Sequence, residues 1–531
     1  MYTTAVYFLL SVSLLSLSAC TPIGPDYQKP PVPLAEQWRE TSSAEVQPAP
    51  VESQAWWTTF NDPTLTTLIE TAYRQNPSLQ AAGARVLEAR ARRGIAIGQL
   101  FPQQQDAFGS YTRTGVSTET ANQGGFPGFT PSFDNWRLGL DAVWELDIWG
   151  KFRRGIEGAD AALLASVASY DDVLVSLIAE VATNYLALRI LEERLEVAQA
   201  NVGVQQQSFA IADAKFQGGA VTELDAAQAA ALLRDTQAQV AALETTMQQT
   251  RHTLSILLGL PPHDLQGLLE GAKKIPVPPT TIAVGIPADL LRRRPDLRRA
   301  ERLLAAQSAE IGIAQTDLFP QFTLSGTLSV TAEEFTDMFT SAGLDHFIGP
   351  GFRWAILNYG RIQNNVRVQD ARFQALIGDY ETTVLRAQRE VEDAIAGYLG
   401  TQRQVALLTN SVASATRAVE LADFQYREGA TDYTRVLTTQ QFLVNAQDRL
   451  VATRGAVALN LVALYRALGG GWELREGNEF VSDSTKTRMR ERTNWGELLR
   501  PEAGAAEVNA VPADEKNESG QWRWRAWMPQ W

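Results

Sequence analysis

The amino-acid sequence predicts a mixed α/β membrane protein in which transmembrane β-strands are continued by very long helices, the whole built from two internal repeats. Three observations carry this. Short motifs recur in one order at a nearly constant spacing, each copy holds two stretches of strict apolar/polar alternation, and the remainder of each copy runs proline-free over lengths that permit long helices.

Composition sets the outer bounds. At 531 residues the chain has length for about three ordinary domains. Hydrophobic residues at 45% and charged residues at 20% exclude a wholly disordered or collagen-like chain. Mean hydropathy is −0.16, and beyond the N-terminus no apolar run approaches the ~20 residues of a membrane helix, which excludes a polytopic helical transporter. A net charge of −13 argues against nucleic acid as a partner. With three histidines and one cysteine there is no Cys/His metal cluster, no cofactor motif and no intrachain disulfide.

The elements follow in chain order. Residues 1–19 read as a signal peptide, since Ala5 to Ala19 form an apolar stretch of the right length, although Met-Tyr-Thr-Thr before it lacks a basic residue. Leu17-Ser18-Ala19-Cys20 resembles a bacterial lipobox, which makes Cys20 the lipidation site and first residue of the mature chain. Several acyl chains on one residue anchor stably where one does not. Thr21, where such lipoproteins would otherwise carry a retaining Asp, fits sorting to the outer membrane. Eight prolines between residues 21 and 63 predict an extended lipidated tether over 20–63.

Two repeats are then expected, over 64–270 and 271–475. Asn76-Pro77, Gly94-Ile95-Ala96 and Leu100-Phe101-Pro102-Gln103 recur 218 residues later as Arg294-Pro295, Gly312-Ile313-Ala314 and Leu318-Phe319-Pro320-Gln321. Trp144, Gly150, Gly219-Ala220 and Gly259 recur 210 residues later as Trp354, Gly360, Gly429-Ala430 and Gly469. The spacing changes only between the two strand regions, which marks a surface loop there.

Strands are expected at about 103–115, 135–148, 320–332 and 346–358. Trp136, Leu138, Leu140, Ala142, Trp144 and Leu146 alternate with polar or small residues, as do Phe322, Leu324, Gly326, Leu328 and Val330. Such segments match barrel strands with a lipid face and a lumen face, but four cannot close a barrel, because the smallest have about eight. Closure requires other copies of the chain.

No proline interrupts 132–260 or 351–500. Ala159 to Phe216 carries apolar residues at spacings of three and four and would extend roughly 85 Å. Gly218-Gly219 turns the chain, and Thr222 to Leu258 returns about 55 Å, too short to cover its partner. Pro77 to Leu100, opened by Asn76 as N-cap, would complete the column if stacked end to end on it.

Trp56-Trp57, Phe60, Asp62-Pro63, Asn76-Pro77 and above all Ile286-Pro287-Ala288-Asp289-Leu290-Leu291-Arg292-Arg293-Arg294-Pro295-Asp296 resemble the TolC-like outer membrane factors, NodT-type efflux lipoproteins. Gly259-Leu260-Pro261-Pro262 and Leu468-Gly469-Gly470-Gly471-Trp472 look like that family's repeat endings, and the resemblance covers about residues 17 to 475. It implies a homotrimer whose four strands per chain make one 12-stranded barrel in the bacterial outer membrane, continued by a periplasmic α-helical barrel. Such a trimer is a passive, non-enzymatic exit duct for small molecules, coupled to a periplasmic adaptor and an inner-membrane pump of the resistance-nodulation-division (RND) type. A periplasmic adaptor or structural coiled-coil lipoprotein would show one hairpin rather than two copies. A secreted carboxylate enzyme would need paired acids in a cleft, whereas Asp171-Asp172 and Glu192-Glu193 fall on long helices.

By the same resemblance the turns at Gly219 and Gly429 are periplasmic tips where the adaptor docks and the tunnel constricts. Asp225, Thr434, Arg435 and Thr438 are then the tip and gate residues, with Arg435 and Thr438 where the family often places an acidic ring. Residues 476–531 depart from the family and read as a largely disordered extension closing in an aromatic Trp/Arg segment.

Overall fold

The computed structural model describes residues 22–499 apart from 43–44, 48, 50–53, 118–131, 263–264, 266 and 270–272. After a short 3₁₀ turn at Trp56–Phe60 come α1 (Pro63–Gln75) and α2 (Pro77–Gly98), strands β1 (Gln104–Gly115) and β2 (Ser132–Glu145), then α3 (Lys151–Gln217) and α4 (Glu223–Leu257). The second set is α5 (Pro295–Thr316), β3 (Gln321–Ala332), β4 (Leu344–Arg353), α6 (Arg361–Arg427) and α7 (Tyr433–Ala467), and α8 (Asp483–Arg492) ends the described chain apart from a short turn. Corresponding helices match in length: 22 residues in α2 and α5, 67 in α3 and α6, 35 in α4 and α7.

Local chemistry sets the helix starts. Asp62 accepts from the Thr64 and Leu65 amides ahead of Pro63, and Asn76 accepts from Leu79 N ahead of Pro77. Both 67-residue helices begin after a glycine in the left-handed region, Gly150 at φ 82° and Gly360 at φ 79°, where a side chain would be strained.

The four strands form one antiparallel sheet in the order β1-β2-β3-β4. Leu138 lies opposite Val330, Leu140 opposite Leu328 and Trp144 opposite Leu324, so one face is continuously apolar. The other face carries Asp106 opposite Asp141, and Thr327 donates to Asp141 at 3.1 Å. Both outer edges, β1 and β4, have no partner strand among the described residues. At the base, Trp144 Nε1 donates to Leu100 O at 3.1 Å and Trp354 Nε1 to Leu318 O at 3.0 Å, which ties the strand ends to the preceding turns.

Below the sheet the short helices do stack end to end. Asn76 Nδ2 donates to the C-terminal carbonyl of Leu257 at 2.9 Å, and Arg294 Nη1 to that of Ala467 at 2.9 Å, so each joint uses the residue that opens one helix to satisfy the end of another. The core lies at this belt. Trp56, 1% exposed, stacks on Tyr465 at 5.3 Å and meets Trp57 edge-on. Among the described residues α3 and α7 contain windows apolar enough to cross a membrane, but 56% of each window is buried inside the chain, so these are core helices.

Two expectations need correction. The segment read as a tether is, over residues 22–42, a strap laid along the body. Ile23 N donates to Trp149 O at 2.9 Å, Lys29 pairs with Glu301 at 2.5 Å, Ala35 N donates to Gln388 at 2.9 Å, and Trp38 is buried. Proline density does favour extension, but these partners lie hundreds of residues away and outweigh it. The segment read as disordered from 476 is folded as far as Leu499: Ser482 caps α8, and Val481, Met489 and Leu499 close over Leu87 of α2. So few apolar residues gave no periodic signal, because the surface they cover belongs to another helix. The signal peptide, Cys20 and the Trp/Arg tail lie outside the described residues.

Candidate functional site at the tunnel tip

Each hairpin turns on a glycine with positive φ, Gly219 at 71° and Gly429 at 74°. Ala220 N donates to Lys215 O and Ala430 N to Gln425 O, both at 2.8 Å, so the orphan carbonyls of α3 and α6 are satisfied by the turns themselves. Asp432 then opens α7 by accepting from Arg435 N at 3.3 Å.

A small core joins the two hairpins. Ala212, Ala229, Ala422, Tyr426, Tyr433 and Val436 are buried together, and the Tyr426 and Tyr433 rings meet edge-to-face at 5.3 Å. Lys215, in the last turn of α3, donates to Tyr426 O at 2.5 Å and lies 4.3 Å from its ring centroid, placing a cation at the carbonyl end of α6. Burial, then the neighbouring Tyr426, pushes the Tyr433 phenol up to about 12. Burial, then the Asp225 charge, raises Tyr426. Both phenols are therefore neutral at physiological pH.

Of the expected tip residues, Gly219 and Gly429 sit in the turns, Asp225 is half-buried in the first turn of α4, and Thr434, Arg435 and Thr438 are exposed. Thr438 Oγ1 donates to Arg435 O at 3.1 Å, so that hydroxyl serves its own helix. The Arg435 guanidinium makes no ion pair among the described residues. Sequence reasoning missed Lys215, Tyr426 and Tyr433; their only signal was a basic residue in a last turn and two aromatics flanking a glycine turn. At the opposite end, Pro22 packs on Gly150 at the foot of β2, so the described chain begins at the base of the sheet.

The acidic pairs are structural. Asp171 is fully buried and accepts from Arg475 Nε at 2.7 Å and Arg298 Nη2 at 2.8 Å. Glu192 pairs with Arg189 at 2.7 Å, and Glu193 lies 3.8 Å from Arg454. No group of three His, Cys, Asp or Glu side chains among the described residues could hold a metal ion.

A four-stranded antiparallel sheet with one apolar face, set on long helical hairpins that end in paired tips, is the framework of a membrane channel. The chain belongs to the outer membrane efflux protein family, whose model matches residues 68–260 and 286–470. It is 34% identical over 468 residues to the pyoverdine export outer membrane protein OpmQ of Pseudomonas putida, covering 88% of this chain and 97% of that one. It is 32% identical over 459 residues to nodulation protein T of Rhizobium leguminosarum bv. viciae, covering 86% and 92%. Among solved structures it resembles the outer-membrane channel OprN (TM-score 0.79, 33% identity, 85% of this chain and 99% of that one). It also resembles the open MtrE channel of Neisseria gonorrhoeae (TM-score 0.73, 27% identity, 85% and 99%). It is an outer-membrane efflux channel with a helical periplasmic domain.

Proposed function

We propose that three copies close edge to edge into a 12-stranded barrel and a helical tunnel, forming the passive exit duct of a system completed by a periplasmic adaptor and an inner-membrane RND-type pump. The observation that carries this is the sheet with both edges unpaired. In hydrocarbon each unsatisfied backbone group costs several kcal/mol, so four strands are stable only as part of a closed cylinder. Equal helix lengths and two matches of one family model favour two repeats, 64–270 and 271–475.

Cys20 carries the acyl chains: the strap brings its neighbourhood to the foot of the sheet, where lipid begins. A related protein is named probable outer membrane lipoprotein SilC, which fits. Gly219, Asp225, Gly429, Thr434, Arg435 and Thr438 form the tip, with Arg435 and Thr438 toward the lumen. The test is heat-stable trimer migration together with single-channel conductance in planar bilayers; a monomer that conducts nothing would reject the duct.

A further inference from the structure

The exposed face of α7 carries a stripe at heptad spacing. Val436, Gln440 and Leu450 are buried against the other helices, while Arg435, Thr438, Gln441, Phe442, Asn445 and Arg449 stand exposed on the opposite side. Arg435, Phe442 and Arg449 follow one another at steps of seven residues, which drift by only about 20° and rise ~10 Å each, so they form one line along the helix. Phe442 is 58% exposed and is the single apolar side chain on this face. Neither guanidinium has an ion pair among the described residues, and the only carboxylate of α7, Asp448, is held by Arg194 at 2.7 Å.

In a chain of net charge −13 this leaves one positive stretch without a carboxylate of its own. On α6, Glu420 and Asp423 are paired with Arg417 at 2.8 Å and Arg427 at 2.7 Å. The first repeat offers an internal control. Its positions 210 residues earlier are Asp225, Leu232 and Gln239, with Leu232 buried, so neither the cations nor the exposed ring come with the repeat. The hairpin helices pack in the row α4-α3-α7-α6, so a neighbouring copy meets the row at its ends and not over α7. The exposed face of α7 therefore fronts open space, and it is the face of Thr438, proposed above to look into the lumen.

We propose that this stripe, repeated three times around the tunnel, is a site that reads cargo and favours anionic compounds with a flat apolar body. A carboxylate, sulfonate or phosphate pairs with the planar guanidiniums, and the apolar body lies on the Phe442 ring between them. Three copies focus a positive potential into the tunnel just above the tip, which raises the local concentration of anions. The site rests on the threefold duct proposed above and adds the class of cargo that it favours.

The test uses full-length trimers in planar bilayers, with a naphthalenesulfonate as the probe. Added on the periplasmic side it should interrupt the current, whereas naphthylmethylammonium, a cation of similar shape, should not. Phe442→Ala should raise the blocking concentration of the sulfonate at least tenfold and leave the reversal potential in a salt gradient unchanged. Arg449→Gln should weaken the block as well and move the reversal potential toward cation selectivity. Equal block by the two probes, or undiminished block in either variant, would overturn the site. Phe442→Cys reports the direction of the face: a charged methanethiosulfonate reagent should lower its conductance, with the unmodified protein as control for Cys20. An unaltered current would mean that the stripe lies outside the lumen, which overturns the site and leaves the duct intact. An unmodified chain that forms no trimer and conducts nothing would instead remove the duct reading, and the site with it.

Discussion

Arg435 stands exposed on α7 one turn before Thr438, where the family resemblance would place carboxylates. Three such guanidiniums around a narrow opening would repel cations, and low local solvation enlarges the effect. Arg435→Asp is expected to make the channel more cation-selective and to introduce block by a trivalent cation added on the periplasmic side, the shift fading at ~1 M salt, where the Debye length is about 3 Å. Single-channel current reads both, and no change would place the side chain outside the lumen. A second residue-scale expectation concerns Asp172, next to Asp171, which is ion-paired with Arg298 and Arg475. Burial, then the charge of Asp296, raises its carboxyl pKa against the opposing pull of Arg299, Arg294 and Arg466. The folded chain therefore holds this proton more tightly than the unfolded one. Acidification through the raised pKa adds stability, and the gain is complete below the ordinary carboxylate value near pH ~4. Asp172→Asn should raise the thermal unfolding temperature at pH 7.5 and flatten its rise as the pH falls toward ~4; an unaltered profile would assign the pH dependence elsewhere.

At the scale of elements, the described part of the C-terminal extension acts as a brace over α2. Arg475 enters the buried Asp171 cluster, and the Phe480 backbone lies directly over Gly83, where a Cβ would collide with the Phe480 carbonyl. Gly83→Ala should thus dislodge the brace, and Met489→Ala should weaken it by about 2–5 kcal/mol through loss of buried volume. Limited proteolysis between residues 476 and 499 measures both; resistance equal to the unmodified chain would show the brace to be independent of these contacts. The same scale shows what the sequence could and could not reveal. The long helix, read from Ala159 to Phe216 where α3 runs Lys151–Gln217, and the strand alternation were legible because each repeats a local rule many times, and the hairpin turns because glycine marks them. The strap and the brace were not, since Lys29 with Glu301 and Met489 with Leu87 depend on one-off meetings of distant segments. The tip was half legible: its turns come from glycine, but Lys215 reaching over to Tyr426 crosses between hairpins.

For the whole molecule, the apolar face of the sheet determines which substitutions assembly tolerates. Leu140 is 58% exposed on that face, and arginine near mid-bilayer costs about 2–4 kcal/mol. Leu140→Arg should therefore lower trimer yield in the outer membrane severalfold, while Asp141→Asn on the opposite face should lose little. Equal tolerance would argue that this face does not meet lipid.

The strap has one consequence that concerns time and not structure. It touches helices from both halves of the chain, Arg154 on α3, Glu301 on α5 and Gln388 on α6, so it settles only after these have come together. On the proposed acylation and trimer, Cys20 would keep each unfinished protomer in the plane of the membrane, turning the encounter of three chains from a search through a volume into a search over a surface, with the local concentration raised accordingly. Cys20→Ala should then leave the finished trimer intact but make its formation slower and steeply dependent on expression level, as pulse-labelled assembly at two induction levels would measure.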